Sequence, residues 1–269
     1  MQSRFLLAVA LLLPMIGPVI AQPRRGKANH VVVVVWDGMR PDFISPENTP
    51  TLAGLARSGV FFRNNHPVFP SSTNVNGAAL ATGNYPGDNG VFANEEFRPA
   101  IDPHSPIDTS DFPALDASDG RINRDFLHGL TIAELVQQTG RRTAVAGSKP
   151  VAQFFDRARR RETAAARASI VLYRGKVLPA SASGAIFSAL GPFPKRKGLP
   201  NEEEDAWTTR GLTDFLWKDD VPEFSLLWLS EPDLSQHQTG PGSPTARAAI
   251  KSDDDKLARV IAALQAKKL

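Results

Sequence analysis

Residues 30–43 read HVVVVVWDGMRPDF, five valines and a tryptophan that stop abruptly at Asp37-Gly38. Five β-branched residues in a row, apolar on both faces, predict a strand buried in the middle of a parallel sheet. In open α/β sheets ligands bind at the carboxyl ends of strands, and Asp37 sits at such an end. A carboxylate at the rim of a dry core needs a cation or a hydrogen-bond network. Asp37 therefore reads as a metal ligand, with a turn-forming Asp-Gly as the plainer alternative.

The same pattern returns downstream. Phe224–Leu229 predicts a strand whose Leu226-Leu227-Trp228-Leu229 is a second run of fully buried type, and it too meets acid, at Glu231-Pro232-Asp233. Between them, Thr49-Pro50 opens a helix by N-cap and first-position proline, and Gly59 closes it. Val60-Phe61-Phe62 predicts a strand, and the turn Phe69-Pro70-Ser71-Ser72-Thr73 feeds a helix over 74–82. Residues 97–125 read as loop. Thr131 and Glu134 form a capping box ahead of a helix, and a strand follows over 142–146. Residues 157–200, with Arg157, Arg159, Arg160 and Arg161, a short strand Ile170–Tyr173 and a Pro/Lys/Gly segment, read as an insertion or cap. A helix over 205–217 and a long amphipathic helix over 244–269 complete the chain. Alternating strands and helices predict an α/β fold, with a mostly parallel sheet covered by helices on both faces.

The 269 residues suit one large α/β domain. Residues 1–21 have a short positive start, an apolar stretch broken by Pro14, Gly17 and Pro18, and small residues before Ala21, the pattern of a secretory signal peptide. Residues 22–29 are a polar leader and 30–269 the domain. The expectation is a secreted or periplasmic protein, without a membrane span after signal cleavage. No cysteine is present, so there is no disulfide framework or thiolate metal site. A net charge of +3 is weak support for nucleic acid, and no nucleic-acid partner is expected. Oligomeric state is not readable from the sequence.

Thr73 lies where a turn enters a helix, and a helix N-terminus attracts anions. Its hydroxyl can serve as a nucleophile if it is activated; the plainer alternative is N-capping. Asp233 and His237 stand four residues apart, on one face if that segment is helical. Carboxylate and imidazole both suit zinc. Asn94 is a candidate donor to a phosphate oxygen. Tyr85, Phe92 and Phe97 are aromatic candidates for a nucleotide, with core packing the better expectation. His30, His66, His104 and His128 have no partner at ligand spacing.

The strings HVVVVVWDGMRPDF, NTPTLAGLARSGVFF, HPVFPSSTNVNGAALATGNYPGDNGVFAN and PDLSQHQTGP, in that order, resemble the type I phosphodiesterase/nucleotide pyrophosphatase family of the alkaline phosphatase superfamily. The resemblance implies an alkaline-phosphatase-like sheet with two zinc ions at its C-terminal edge. Asp37 and Thr73 would hold one ion, Asp233 and His237 the other. Thr73 would be the nucleophile, passing through a phospho-threonine, and Asn94 would bind phosphate. A phosphate ester or nucleotide would be the substrate.

Two departures stand out. Gln236 occupies a position where the family usually has glycine. No histidine follows His237, whereas the family has a later Ser-Asp-His-Gly string and a further histidine. The expectation is a C-terminally truncated chain with an incomplete sheet. The alternative function is a catalytically incomplete remnant that binds phosphate or a partner. A sulfatase is disfavoured by the lack of a Cys or Ser followed by x-Pro-x-Arg, and a phosphoglycerate mutase by the signal segment and threonine.

Overall fold

The computed structural model describes residues 28–99, 101–110, 126–156 and 163–269. In chain order, β1 (Val31–Trp36) leads to α1 (Pro50–Ser58), α2 (Thr73–Thr82) and α3 (Pro86–Asn89). An antiparallel pair of two-residue strands follows, β2 (Glu95–Glu96) with β3 (Ile107–Asp108), then α4 (Ile132–Gln138) and β4 (Thr143–Gly147). Next come α5 (Ala164–Ala168), β5 (Ile170–Tyr173), β6 (Lys176–Leu178), α6 (Ser183–Leu190) and α7 (Glu202–Arg210). The chain then forms β7 (Phe224–Leu229), α8 (Asp233–Thr239) and α9 (Pro244–Ala266).

Among the described residues the main sheet has five strands, in the order β1-β7-β4-β5-β6. β1, β7, β4 and β5 are parallel, and β6 turns back antiparallel at the edge. β7 is the interior strand of the apolar type, every residue buried. β1 is not: it pairs with β7 alone among the described residues, and its valines are half-exposed, Val31 most of all. Five valines encode burial on both faces, but they do not say whether a neighbour sits on both edges.

Side chains alternate across the strands with period two, and two cores result. Val33, Val35, Phe224, Leu226, Trp228 and Val145 pack on one side, beneath α2 and the short 3-10 segment Pro150–Phe155. Val32, Val34, Trp36, Leu227, Leu229 and Ala146 pack on the other, with Leu212, Leu216 and Trp217 after α7 and Val260 of α9. Helices thus cover both faces, as expected. α2 lies close to the sheet because it is built of small residues. A Cβ on Gly77 would collide with the side chain of Val151.

Several local expectations need correction. Val60-Phe61-Phe62 is exposed irregular chain, with no strand paired to it among the described residues. Thr49 precedes α1 but makes no side-chain cap; the Asp254 carboxylate of α9 accepts from Thr51 N and Leu52 N instead, each at 2.9 Å. The helix expected over 205–217 is α7 followed by a π turn, Gly211–Leu216. The stretch expected as a loop contains β3, and the stretch expected as an insertion or cap contributes β5 and β6 to the central sheet. The capping box at Thr131 and Glu134 is present. The arginine cluster and the expected signal segment lie outside the described residues. Among those described, no helix is long and apolar enough to cross a bilayer.

Candidate active site

The site is assembled at the C-terminal ends of three adjacent strands, β1, β7 and β4. Their register sets Trp36 beside Leu229 and Gly147 beside Trp228. Asp37 follows β1, Asp233 begins α8 just past β7, and Lys149 lies two residues past β4. Gly38 lets the first two meet. Its φ of +73° is in the left-handed region, and a Cβ there would stand 2.8 Å from Asp233 Cα. Asp233 N donates to Asp37 O at 2.9 Å across this contact.

Thr73 is the first residue of α2, and its Oγ1 donates to Asp37 Oδ1 at 3.4 Å. It is not a plain N-cap. Ser72 holds the cap position without a capping bond, and its own buried Oγ has no partner. Ser71 Oγ accepts from Asn76. Of the three hydroxyls, Thr73 alone is bonded to an acid of the site.

Asp233 and His237 share one face of α8, with Nε2 3.2 Å from Asp233 Oδ1 and the imidazole largely exposed. Gln236 spans the strand ends, donating from Nε2 to Gly38 O at 2.8 Å. Gln236 thereby ties α8 to the Asp-Gly turn. Asn94 adjoins the start of α2: its Oδ1 accepts from Asn74 N at 2.8 Å. With Oδ1 fixed, the Nδ2 group is the donor end of this side chain. Tyr85, Phe92 and Phe97 are exposed rather than packed in the core.

Sequence reasoning missed Lys149. Its Nζ lies 2.9 Å from Asp37 Oδ2 and 2.6 Å from Asp233 Oδ2, between the two carboxylates. The signal was present, since Lys149 follows a strand end just as both acids do. Trp228 Nε1 also donates to Asp37 Oδ2, at 3.1 Å. Burial pushes the Asp37 carboxyl above its usual range, and Lys149 offsets this only in part. Burial would lower the Lys149 ammonium, but Asp37 and Asp233 together outweigh it and hold Lys149 charged.

Beneath the β7 end lies a buried polar lattice. Asp205 accepts from Ser230 N at 2.8 Å and Glu231 N at 3.2 Å, and also from the Ser148 hydroxyl. Glu231 accepts from Asn201 N at 2.7 Å and Ser235 N at 2.9 Å. These bonds set the turn that carries Asp233.

A model of the type I phosphodiesterase/nucleotide pyrophosphatase family matches residues 31–269. The chain belongs to that family. A Schizosaccharomyces pombe protein described as an uncharacterized pyrophosphatase/phosphodiesterase is 32% identical over 90 residues, 34% of this chain and 19% of that protein. Among solved structures, phosphonoacetate hydrolase from Sinorhizobium meliloti, in complex with phosphonoacetate, superposes with a TM-score of 0.65 at 21% identity. It matches 87% of this chain and 53% of its own. Murine ectonucleotide pyrophosphatase/phosphodiesterase 5, an inactive form in complex with AMP, superposes with a TM-score of 0.60 at 21% identity, over 90% of this chain and 54% of that one. The chain thus spans about half the length of these solved relatives, and the likeness establishes the alkaline-phosphatase-like fold.

The donors fit a divalent cation in kind. Asp37 Oδ1 with Thr73 Oγ1 make one pair, and Asp233 Oδ1 with His237 Nε2 the other. Among the described residues no group of three or more His, Cys, Asp or Glu converges on one point. Each pair is therefore one donor short of the usual protein set for catalytic zinc.

Proposed function

We propose that this chain carries the nucleophile half of a phosphate-ester hydrolase site acting on phosphodiesters or nucleotide pyrophosphates. The observation that carries this reading is the Thr73 hydroxyl, placed at the start of α2 and turned to Asp37 Oδ1 instead of capping its helix. Thr73 Oγ attacks phosphorus, the bond from phosphorus to the leaving oxygen breaks, and that oxygen departs as a hydroxyl carrying, through solvent, the proton lost by Thr73. The resulting phospho-threonine is then hydrolysed by water. The α2 N-terminus and Asn94 Nδ2 stabilise negative charge on the phosphoryl oxygens. Family membership supports the reaction class, and the relatives bound to AMP and phosphonoacetate support a small anionic substrate.

Zinc matches the mixed hydroxyl, carboxylate and imidazole donors. Asp37 with Thr73 would hold one ion, Asp233 with His237 the other, and water or substrate oxygens would complete each shell. Bound there, the pair of ions would lower the pKa of the attacking hydroxyl and offset charge on the leaving oxygen. The exposed Tyr85, Phe92 and Phe97 would offer aromatic faces to a nucleoside. Residues 1–21 would direct export to the periplasm or the medium.

The expected result with zinc present is turnover of bis-p-nitrophenyl phosphate or p-nitrophenyl phosphate, reduced roughly 10³-fold or more by Thr73→Ala. Turnover that survives this substitution would refute the nucleophile assignment. The shortage of converging donors favours a second reading, a chain that binds phosphate esters without cleaving them. Calorimetric binding of AMP with no turnover under any metal would select it.

A further inference from the structure

Asp37 and Asp233 each present two carboxylate oxygens, and their surroundings divide them. Oδ2 of Asp37 meets Trp228 Nε1 and Lys149 Nζ, and Oδ2 of Asp233 meets the same ammonium. Oδ1 of Asp37 faces Thr73 Oγ1, and Oδ1 of Asp233 faces His237 Nε2. One oxygen of each acid is thus committed to the protein's own cation, the other to a side chain of reactive type.

We propose that Lys149 is the positioning residue of this site. It is a built-in cation that spans the inner oxygens of both carboxylates, fixes their separation, and reserves the outer oxygens for substrate or metal. This rests on the reading of Asp37 and Asp233 as the acidic pair of the site. Two carboxylates brought together at neighbouring strand ends repel each other, and here water screens them little. Side-chain exposure is 9% for Asp37, 17% for Asp233 and 16% for Lys149. A compact ammonium on a flexible stem can bridge two single oxygens, whereas a guanidinium fork is shaped for one carboxylate. The same placement bars one metal ion from bridging the inner oxygens, and so keeps two cation positions distinct.

The test uses thermal unfolding of the full chain in EDTA, which needs no turnover. Lys149→Met keeps the length of the stem and removes the charge. Its Tm should fall by roughly 5–15 °C, because a buried pair loses its counter-ion. Adding Asp233→Asn to Lys149→Met should recover at least half of that loss by removing the repulsion. Zinc should raise the Tm of Lys149→Met more than that of the parent, since an ion can then enter the vacated gap. A single variant that melts with the parent would overturn the proposal. So would a double variant no more stable than the single, which would assign the effect to packing of the lysine stem, or a zinc response no larger than the parent's. Failure here leaves the hydrolase reading to be judged separately by Thr73→Ala.

Discussion

Gly38 holds the two acidic turns together by lacking a side chain. Its φ of +73° disfavours any other residue, and a Cβ would press on Asp233 Cα at 2.8 Å. Gly38→Ala is expected to cost about 1–3 kcal/mol and to weaken zinc binding by parting Asp37 from Asp233. Calorimetric unfolding and a zinc titration would measure both. Asp253 poses the opposite problem, since neither of its buried carboxylate oxygens has a hydrogen-bond partner. Lys256 Nζ stands 3.6 Å away. Burial, together with Asp205 and Glu231, pushes the Asp253 carboxyl well above its usual 3.8, though Lys256 opposes this. A folded pKa raised above the unfolded one means that stability declines as pH rises from about 3.8 through the folded value. Asp253→Asn should therefore melt on the order of 2–8 °C above the parent at pH 8, with the gain shrinking toward pH 4. Equal melting at both pH values would contradict this. Neither effect was legible in the chain order, because Asp253 reads as one more charge in the run Asp253-Asp254-Asp255 of an amphipathic helix.

Among the elements, α1 shows where local signals stop. Thr49-Pro50 marks its start correctly, but the cap comes from Asp254, some two hundred residues later in the chain, which takes the free N–H groups of Thr51 and Leu52. Asp254→Ala should cost about 1–2 kcal/mol and loosen α1 from α9. Hydrogen exchange at Thr51 and Leu52 would report it, and unchanged protection there would assign the cap elsewhere. The capping box of α4 was fully legible, because both of its members lie within one turn. The Asp233/His237 pair was legible for the same reason, through the i, i+4 geometry of α8. Lys149 could be placed at a strand end from the sequence, but not its pairing, since Asp37 follows β1 and Asp233 begins α8.

For the whole molecule, the open side of β1 matters most. Among the described residues it has one neighbour, and its six residues carry neither charge nor proline to discourage further pairing. The exposed Val60, Phe61 and Phe62 add apolar surface. The purified chain is expected to gain mass with concentration in light scattering, and Val31→Lys, at the most exposed position of β1, is expected to suppress that gain. A mass independent of concentration would mean that this edge is already covered. The apolar pattern of β1 and β7 announced a parallel sheet, but both strands read alike, and only their pairing separated edge from interior.

By itself the sequence determined the family, the α/β alternation, and three side chains at strand ends or helix starts, Asp37, Thr73 and Asp233, with His237 one turn beyond the last. Each is signalled by a pattern a few residues long, and the short-range geometry of strands and helices turns such patterns into positions. The tertiary structure alone decided that β1 has one neighbour among the described residues, that Lys149 stands between the acids, and that Asp254 caps α1. Those facts depend on which strands and helices become neighbours, and contacts between distant segments leave no periodic trace in the order of residues.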